Sequence, residues 1–130
     1  MARRQHPEDD LQKACVKLFK YQYPNLILFH IPNGGWRTKA EAGVFKAMGV
    51  IPGVADLFLM KAVPKNDGTW YHGLFIEMKA KGRTQSDKQK EFQSVCEKNS
   101  YAYSVADSID KFLEVVENYL KGYHENRNPS

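Results

Sequence analysis

Apolar residues recur along this chain at two periods, and the switches between them outline its elements. Residues 8–22 carry Leu11, Ala14, Cys15, Leu18 and Phe19 on one helical stripe. Pro7 suits the first turn, Glu8, Asp9 and Asp10 complement the positive end of the helix dipole, and Pro24 ends the helix. Leu26 to Ile31 is a short β-prone run, closed by Pro32-Asn33-Gly34-Gly35. A second helix is predicted from Thr38 over residues 38–48, stopping before Gly49. Two apolar strand runs, Val54 to Met60 and Leu74 to Ala80, follow as a hairpin. Ser86 to Lys98 reads as a helix with Phe92, Val95 and Cys96 inward, and Tyr101 to Val105 as a fourth strand. Ile109, Phe112, Leu113, Val116, Tyr119 and Leu120 mark a last helix that Asp107 or Ser108 caps. The order αβαββαβα predicts an α/β (α+β) domain, a mixed four-stranded sheet flanked by helices. It occupies residues 1–122 as one domain, with 123–130 a polar, disordered tail.

Charge interrupts this pattern where burial is expected. Asp56 is the one carboxylate in its strand run; the next run carries Glu77 and Lys79. Side chains alternate along a strand, so Glu77 and Lys79 share a face roughly 7 Å apart. Unpaired buried charge is costly, so these groups pair with one another or hold something charged. Asn66-Asp67-Gly68 signals a turn between the runs, inside a loop longer than two residues. Folding back there makes paired residue numbers sum to roughly 133 to 135, placing Asp56 opposite Glu77 or within about two residues of it. A one-residue slip sends Asp56 to the other face. Two readings stand: a buried Asp56–Lys79 ion pair with Glu77 exposed, or a site for a divalent cation beside a phosphate, which is nuclease chemistry.

The 130 residues carry a formal net charge of +4, compatible with a polyanionic partner. Lys79, Lys81, Arg83, Lys88 and Lys90 cluster beyond the charged strand, and Arg37 and Lys39 follow a glycine loop. In that loop Asn33, Gly34 and Gly35 allow close backbone approach, Arg37 can grip a phosphate, and Trp36 either stacks on a base or packs on the core. His30 reads as a satisfied strand-end histidine, with DNA contact the alternative. Cys15 and Cys96 fall on apolar helix faces and read as reduced core residues; with His6, His30, His72 and His124 they show no zinc spacing. No stretch is apolar enough to span a bilayer and the N-terminal residues lack a signal-peptide core, so a cytoplasmic protein without membrane contact is expected.

Five ordered segments together resemble the PD-(D/E)xK nuclease superfamily and, within it, stand-alone VRR-NUC domains of the bacteriophage type. They are Glu8-x-x-Leu11-Gln12, Ile31-Pro32-Asn33-Gly34, Gly49-Val50-Ile51-Pro52-Gly53-Val54-Ala55-Asp56-Leu57, Phe75-Ile76-Glu77-Met78-Lys79 and Ser86-x-x-Gln89. Ala55 stands where the family usually has proline. The resemblance implies a restriction-endonuclease-like core and phosphodiester hydrolysis with Mg²⁺ or Mn²⁺. Asp56, Glu77 and the Met78 backbone carbonyl would hold the metal, with Glu8 joining them through a water or a second ion. Lys79 would orient the attacking water, and Gln89 would hold Lys79 or that water. Gln12 would contact the phosphate or Glu8. Asn33, Gly34, Arg37, Lys39, Lys81 and Arg83 would bind DNA. The expected activity is structure-selective cleavage of branched DNA, like a Holliday junction resolvase, by a homodimer in the host cytoplasm if phage-encoded, with no small-molecule cofactor. Alternatives are a flap or nonspecific nuclease, a nickase working with a replication-repair partner, and a non-catalytic DNA-binding subunit.

Overall fold

The computed structural model describes residues 7–32 and 38–127, with side chains in the last helix as far as Lys121. Its elements are α1 (Pro7–Gln22), β1 (Leu28–His30), α2 (Lys39–Ala47), β2 (Leu57–Leu59), β3 (Val63–Pro64), β4 (Trp70–Tyr71), β5 (Leu74–Met78), α3 (Asp87–Lys98), β6 (Ala102–Ala106) and α4 (Ile109–Arg127). The main sheet has the order β1-β2-β5-β6, antiparallel except for the β5–β6 pair. Antiparallel neighbours need only a turn, whereas the parallel pair needs a crossover, which α3 supplies. The mixed sheet flanked by helices matches the expected architecture.

Alternation along β5 sorts the two faces. Leu74, Ile76 and Met78 join Leu57 and Leu59 in the main core, packed against Cys15 and Phe19 of α1 and Phe112, Val115, Val116 and Tyr119 of α4. Phe75 points the other way, into a smaller cluster with Phe92 of α3, Tyr101, Tyr103, Cys96 and Ala55. Both cysteines are buried and free, and burial pushes each thiol up to about 11. Tyr101 and Tyr103 thus belong to core packing. Val95 departs from expectation: it is 57% exposed, because Phe92 and Cys96 already fill the inward stripe of α3. Ile109 is partly outward as well, at 36% exposed.

Local chemistry sets the ends of the helices. Thr38 and Glu41 form a reciprocal capping box on α2, and Ser86 and Gln89 form one on α3. Ser108 accepts the N–H of Lys111 at the start of α4. That helix continues to Arg127, past Gly122. No described helix is long and apolar enough to cross a membrane.

Paired residue numbers in β2–β5 sum to 133, as in Leu57 with Ile76. The connection is not a simple hairpin, because β3 and β4 form a separate two-stranded ladder whose pairs sum to 134. The turn falls where Asn66-Asp67-Gly68 predicts it: Asp67 accepts the Thr69 N–H at 2.9 Å and Gly68 has φ +88°. Between the ladders, residues 60–62 face 72–73, an extra residue that shifts the register by one.

Candidate active site

Strand β2 leaves β5 just before Leu57, and this divergence builds the site. Continuing the 133 register would set Ala55 against Met78. Instead the Met78 N–H donates to Asp56 Oδ2 at 2.8 Å, so a carboxylate replaces the missing strand partner. Two residues on, the Ala80 N–H donates to Glu8 Oε2 at 3.0 Å, across 72 positions of sequence. Two acidic side chains from different elements are thereby oriented at the end of β5.

Glu77 lies opposite Asp56 in the extended register and is only 4% exposed. Its Oε2 accepts from Gln89 Nε2 at 3.0 Å, while Oε1 is buried with no hydrogen-bond partner among the described residues. Burial first, then the nearby Asp56 charge and a hydrogen bond donated by the protonated Glu77 carboxyl to Asp56, push Glu77 up to about 8; the Lys79 ammonium pulls the other way. Burial also raises Asp56, opposed by the Met78 N–H. Lys79 is half-buried on the Glu77 face and makes no ion pair within 4 Å with a described residue. The alternative of an Asp56–Lys79 ion pair with Glu77 exposed is therefore not what forms.

Gln89 holds Glu77 rather than Lys79, a correction with a local cause. As the third residue of α3 it accepts the Ser86 N–H through Oε1 at 2.8 Å, so its NH₂ alone remains to face the sheet. Gln12 meets His30 rather than Glu8, with Gln12 Nε2 3.0 Å from His30 Nδ1, which lies 2.8 Å from the Asp56 carbonyl oxygen. Lys39, Lys81 and Arg83 are exposed. Asn33, Gly34 and Arg37 lie outside the described residues.

Sequence reasoning missed Gly53. It has φ +91°, and a Cβ there would run into the backbone carbonyl of Lys88. Only glycine lets the Asp56 loop lie directly on the first turn of α3, where Gln89 sits. The Pro52-Gly53 pair signals a turn, but the close approach has no one-dimensional signature. Ala55, in place of proline, is wholly buried beside Cys96 and Tyr103.

A mixed sheet between helices, with two carboxylates and a lysine converging where its central strands part, defines a nuclease domain of the PD-(D/E)xK kind. Comparison with known proteins narrows this class: the VRR-NUC domain model matches residues 6–110. The chain belongs to the VRR-NUC family, and as such is a nuclease domain with DNA as its implied substrate. A solved structure described as a VRR_NUC domain protein is similar to it, with TM-score 0.70 and 29% identity over 92% of each chain. No curated protein matches.

Proposed function

We propose that this chain is a Mg²⁺- or Mn²⁺-dependent endodeoxyribonuclease that cuts branched DNA as a homodimer. The observation that carries the reading is the convergence of Asp56, Glu77 and Lys79, with Glu77 Oε1 buried and partnerless. Burial and the neighbouring Asp56 keep a proton on this carboxyl pair in the metal-free protein, and a hard divalent cation is the positive charge that can replace it. The donor set fits. It is all oxygen, and because no three His, Cys, Asp or Glu among the described residues gather as a metal-holding group, only two carboxylates, Asp56 and Glu77, are offered as direct ligands. Mg²⁺ suits two carboxylates because it retains several waters.

Asp56 and Glu77 would hold the ion, with the Met78 carbonyl as a third oxygen and Glu8 reaching it through water. When bound, the metal supplies Lewis-acid stabilisation of the phosphate and a more acidic water. Lys79 orients the attacking water by hydrogen bonding and stabilises negative charge developing on the phosphate. Gln89 keeps the Glu77 carboxylate in its rotamer. Lys81 and Arg83, exposed beyond β5, and Lys39 at the start of α2 supply phosphate contacts that position DNA without reading its sequence. One site cuts one strand, so symmetric cleavage across a junction calls for two copies related by a twofold axis.

The test is cleavage of labelled four-way junction, flap and linear duplex DNA with Mg²⁺, Mn²⁺ or EDTA, beside Lys79→Ala. Paired symmetric cuts on the junction, lost with EDTA and with the variant, are expected. Cutting flaps or duplex instead keeps the nuclease and discards the junction. Binding without cutting of any substrate identifies a non-catalytic DNA-binding subunit.

A further inference from the structure

Asp56 is gripped from both sides at the point where its strand has parted from β5 while still following the β1 register. Its carboxylate takes the Met78 N–H of β5, and its carbonyl takes two donors from the other direction. The Ile31 N–H lies 2.8 Å from that carbonyl oxygen, and His30 Nδ1 also lies 2.8 Å away. His30 pairs with Leu57 in the β1–β2 ladder, so its ring stands on the sheet face covered by α1. There it meets Gln12, one helical turn beyond Glu8.

The chemistry of the ring nitrogen decides the hydrogen-bond pattern. A carbonyl oxygen can only accept, whereas a glutamine amide can present either end. One Nδ1 cannot both donate to the carbonyl and accept from an NH₂ group. The carbonyl is the partner with no choice, so both contacts are satisfied together when Nδ1 carries the proton and the Gln12 amide, placed with Nε2 nearest the ring, turns Oε1 towards it in a three-centre bond. The ring then connects α1 to the Asp56 main chain.

We propose that Gln12 and His30 form a brace that fixes the Asp56 main chain, with His30 protonated on Nδ1, and so sets the spacing between Asp56 and Glu8. Both are positioning residues, acting through Asp56 rather than on substrate. Asp56 and Glu8 come from different elements, and the Ala80 N–H anchors Glu8 while nothing in α1 itself anchors Asp56. The brace closes that circuit: α1 holds Glu8 against β5 and holds Asp56 through His30. The functional half of this proposal rests on the metal-dependent reading of the site; the tautomer does not.

The tautomer is tested first, on the metal-free protein, by long-range ¹H–¹⁵N correlation at a pH where the imidazole is neutral. His30→Asn identifies the His30 signals by their loss. Protonated Nδ1 is expected; a ring protonated only on Nε2 overturns the brace whether or not the protein cuts DNA. Mn²⁺ titration by calorimetry and steady-state cleavage then follow for Gln12→Met, His30→Leu and His30→Asn. Gln12→Met and His30→Leu should each weaken Mn²⁺ binding about tenfold and lower kcat to match, the lower end for residues that orient ligands from behind. KM for DNA and the melting temperature should stay close to wild type. His30→Asn, whose amide N–H can still reach the carbonyl, should recover to within about threefold of wild type, and the Gln12→Met/His30→Leu pair should be no worse than the poorer single variant. Unchanged Mn²⁺ affinity in His30→Leu, or a raised KM with kcat intact, overturns the proposal, the latter by making His30 a DNA contact. A wild-type protein that neither binds Mn²⁺ nor cuts DNA rejects the nuclease reading, a result separable from the tautomer.

Discussion

The two faces of β5 follow one strand in opposite directions of design. On one, Leu74, Ile76 and Met78 are all within 1% of complete burial and pack into the apolar core with residues of α1, α4 and β2. On the other, Phe75 starts in an aromatic cluster, its ring 4.6 Å from Phe58 and 5.1 Å from Phe92, and Glu77 follows, with Lys79 just beyond the strand's end. The dry face can be satisfied by volume and shape alone. The mixed face sets two carboxyls and a half-buried ammonium in a desolvated space, a costly arrangement that a fold tolerates where chemistry uses it. The same five residues therefore carry stability on one side and a reactive centre on the other.

The comparison can be broken most severely at its charged end. Lys79→Ala or Asp56→Ala should lower the cleavage rate about a thousandfold, within the range for groups that stabilise a charged transition state. Circular dichroism and DNA affinity should be nearly unchanged; cleavage at the wild-type rate would remove these residues from the mechanism. On the dry face, Ile76→Ala should cost about 2–5 kcal/mol in denaturant unfolding, through lost burial and a residual cavity. Cleavage per folded molecule should persist, so a loss of activity without a loss of stability would show that the faces are not separable.

Glu77 sharpens the contrast through pH. The folded carboxyl stays protonated up to about 8, whereas the unfolded chain ionises near about 4.3. Between those limits the folded state binds more protons than the unfolded one, so metal-free stability should fall as pH rises through the window. Glu77→Gln should flatten that slope and, at the upper end, exceed the wild-type unfolding free energy by an amount on the order of a few kcal/mol. Mn²⁺, which needs the ionised carboxylate, should stabilise wild type increasingly as pH rises and leave Glu77→Gln nearly unmoved. A wild-type melting temperature flat across the window would contradict the placement of Glu77.

The smallest effect is expected at Gln89. Gln89→Ala removes half of a capping box and the Glu77 hydrogen bond together, for about 1 kcal/mol of stability. Activity should drop about tenfold. Gln89→Glu keeps the cap but sets a second carboxylate against Glu77, so it should be the more stable variant at acid pH and the less active one. Equal behaviour of the two would separate capping from Glu77 positioning.

Much of this was legible one residue at a time. The helical stripes of α1 and α4 and the Asn66-Asp67-Gly68 turn are local signals, and the structure forms them where they occur. The hairpin rule gave the correct sum for β2 and β5 although the turn belongs to β3 and β4, because the inserted ladder shifts the register by only one residue. Val95 was misread because periodicity cannot say which of two adjacent apolar positions a neighbouring strand will cover. Gln89 was assigned the wrong partner because its Oε1 is committed to Ser86, a fact of cap geometry. His30 and Gly53 gave no warning of their closeness to Asp56 and Lys88, since both approaches join elements that only the fold brings together.

The sequence by itself determined the order of the helices and of the four main-sheet strands, the faces of β5, the presence of three charges in otherwise apolar runs and the family to which they belong. These follow from alternation, helical period and motif spacing, all properties of neighbours along the chain. Tertiary structure alone decided that β2 parts from β5 before Leu57, so that Asp56 and Glu8 replace strand carbonyls at Met78 and Ala80. It also decided that Glu77 keeps one oxygen without a partner and that Lys79 stays unpaired among the described residues. Those outcomes depend on where hydrogen-bond donors from distant segments meet in a desolvated space, and no local pattern encodes that meeting.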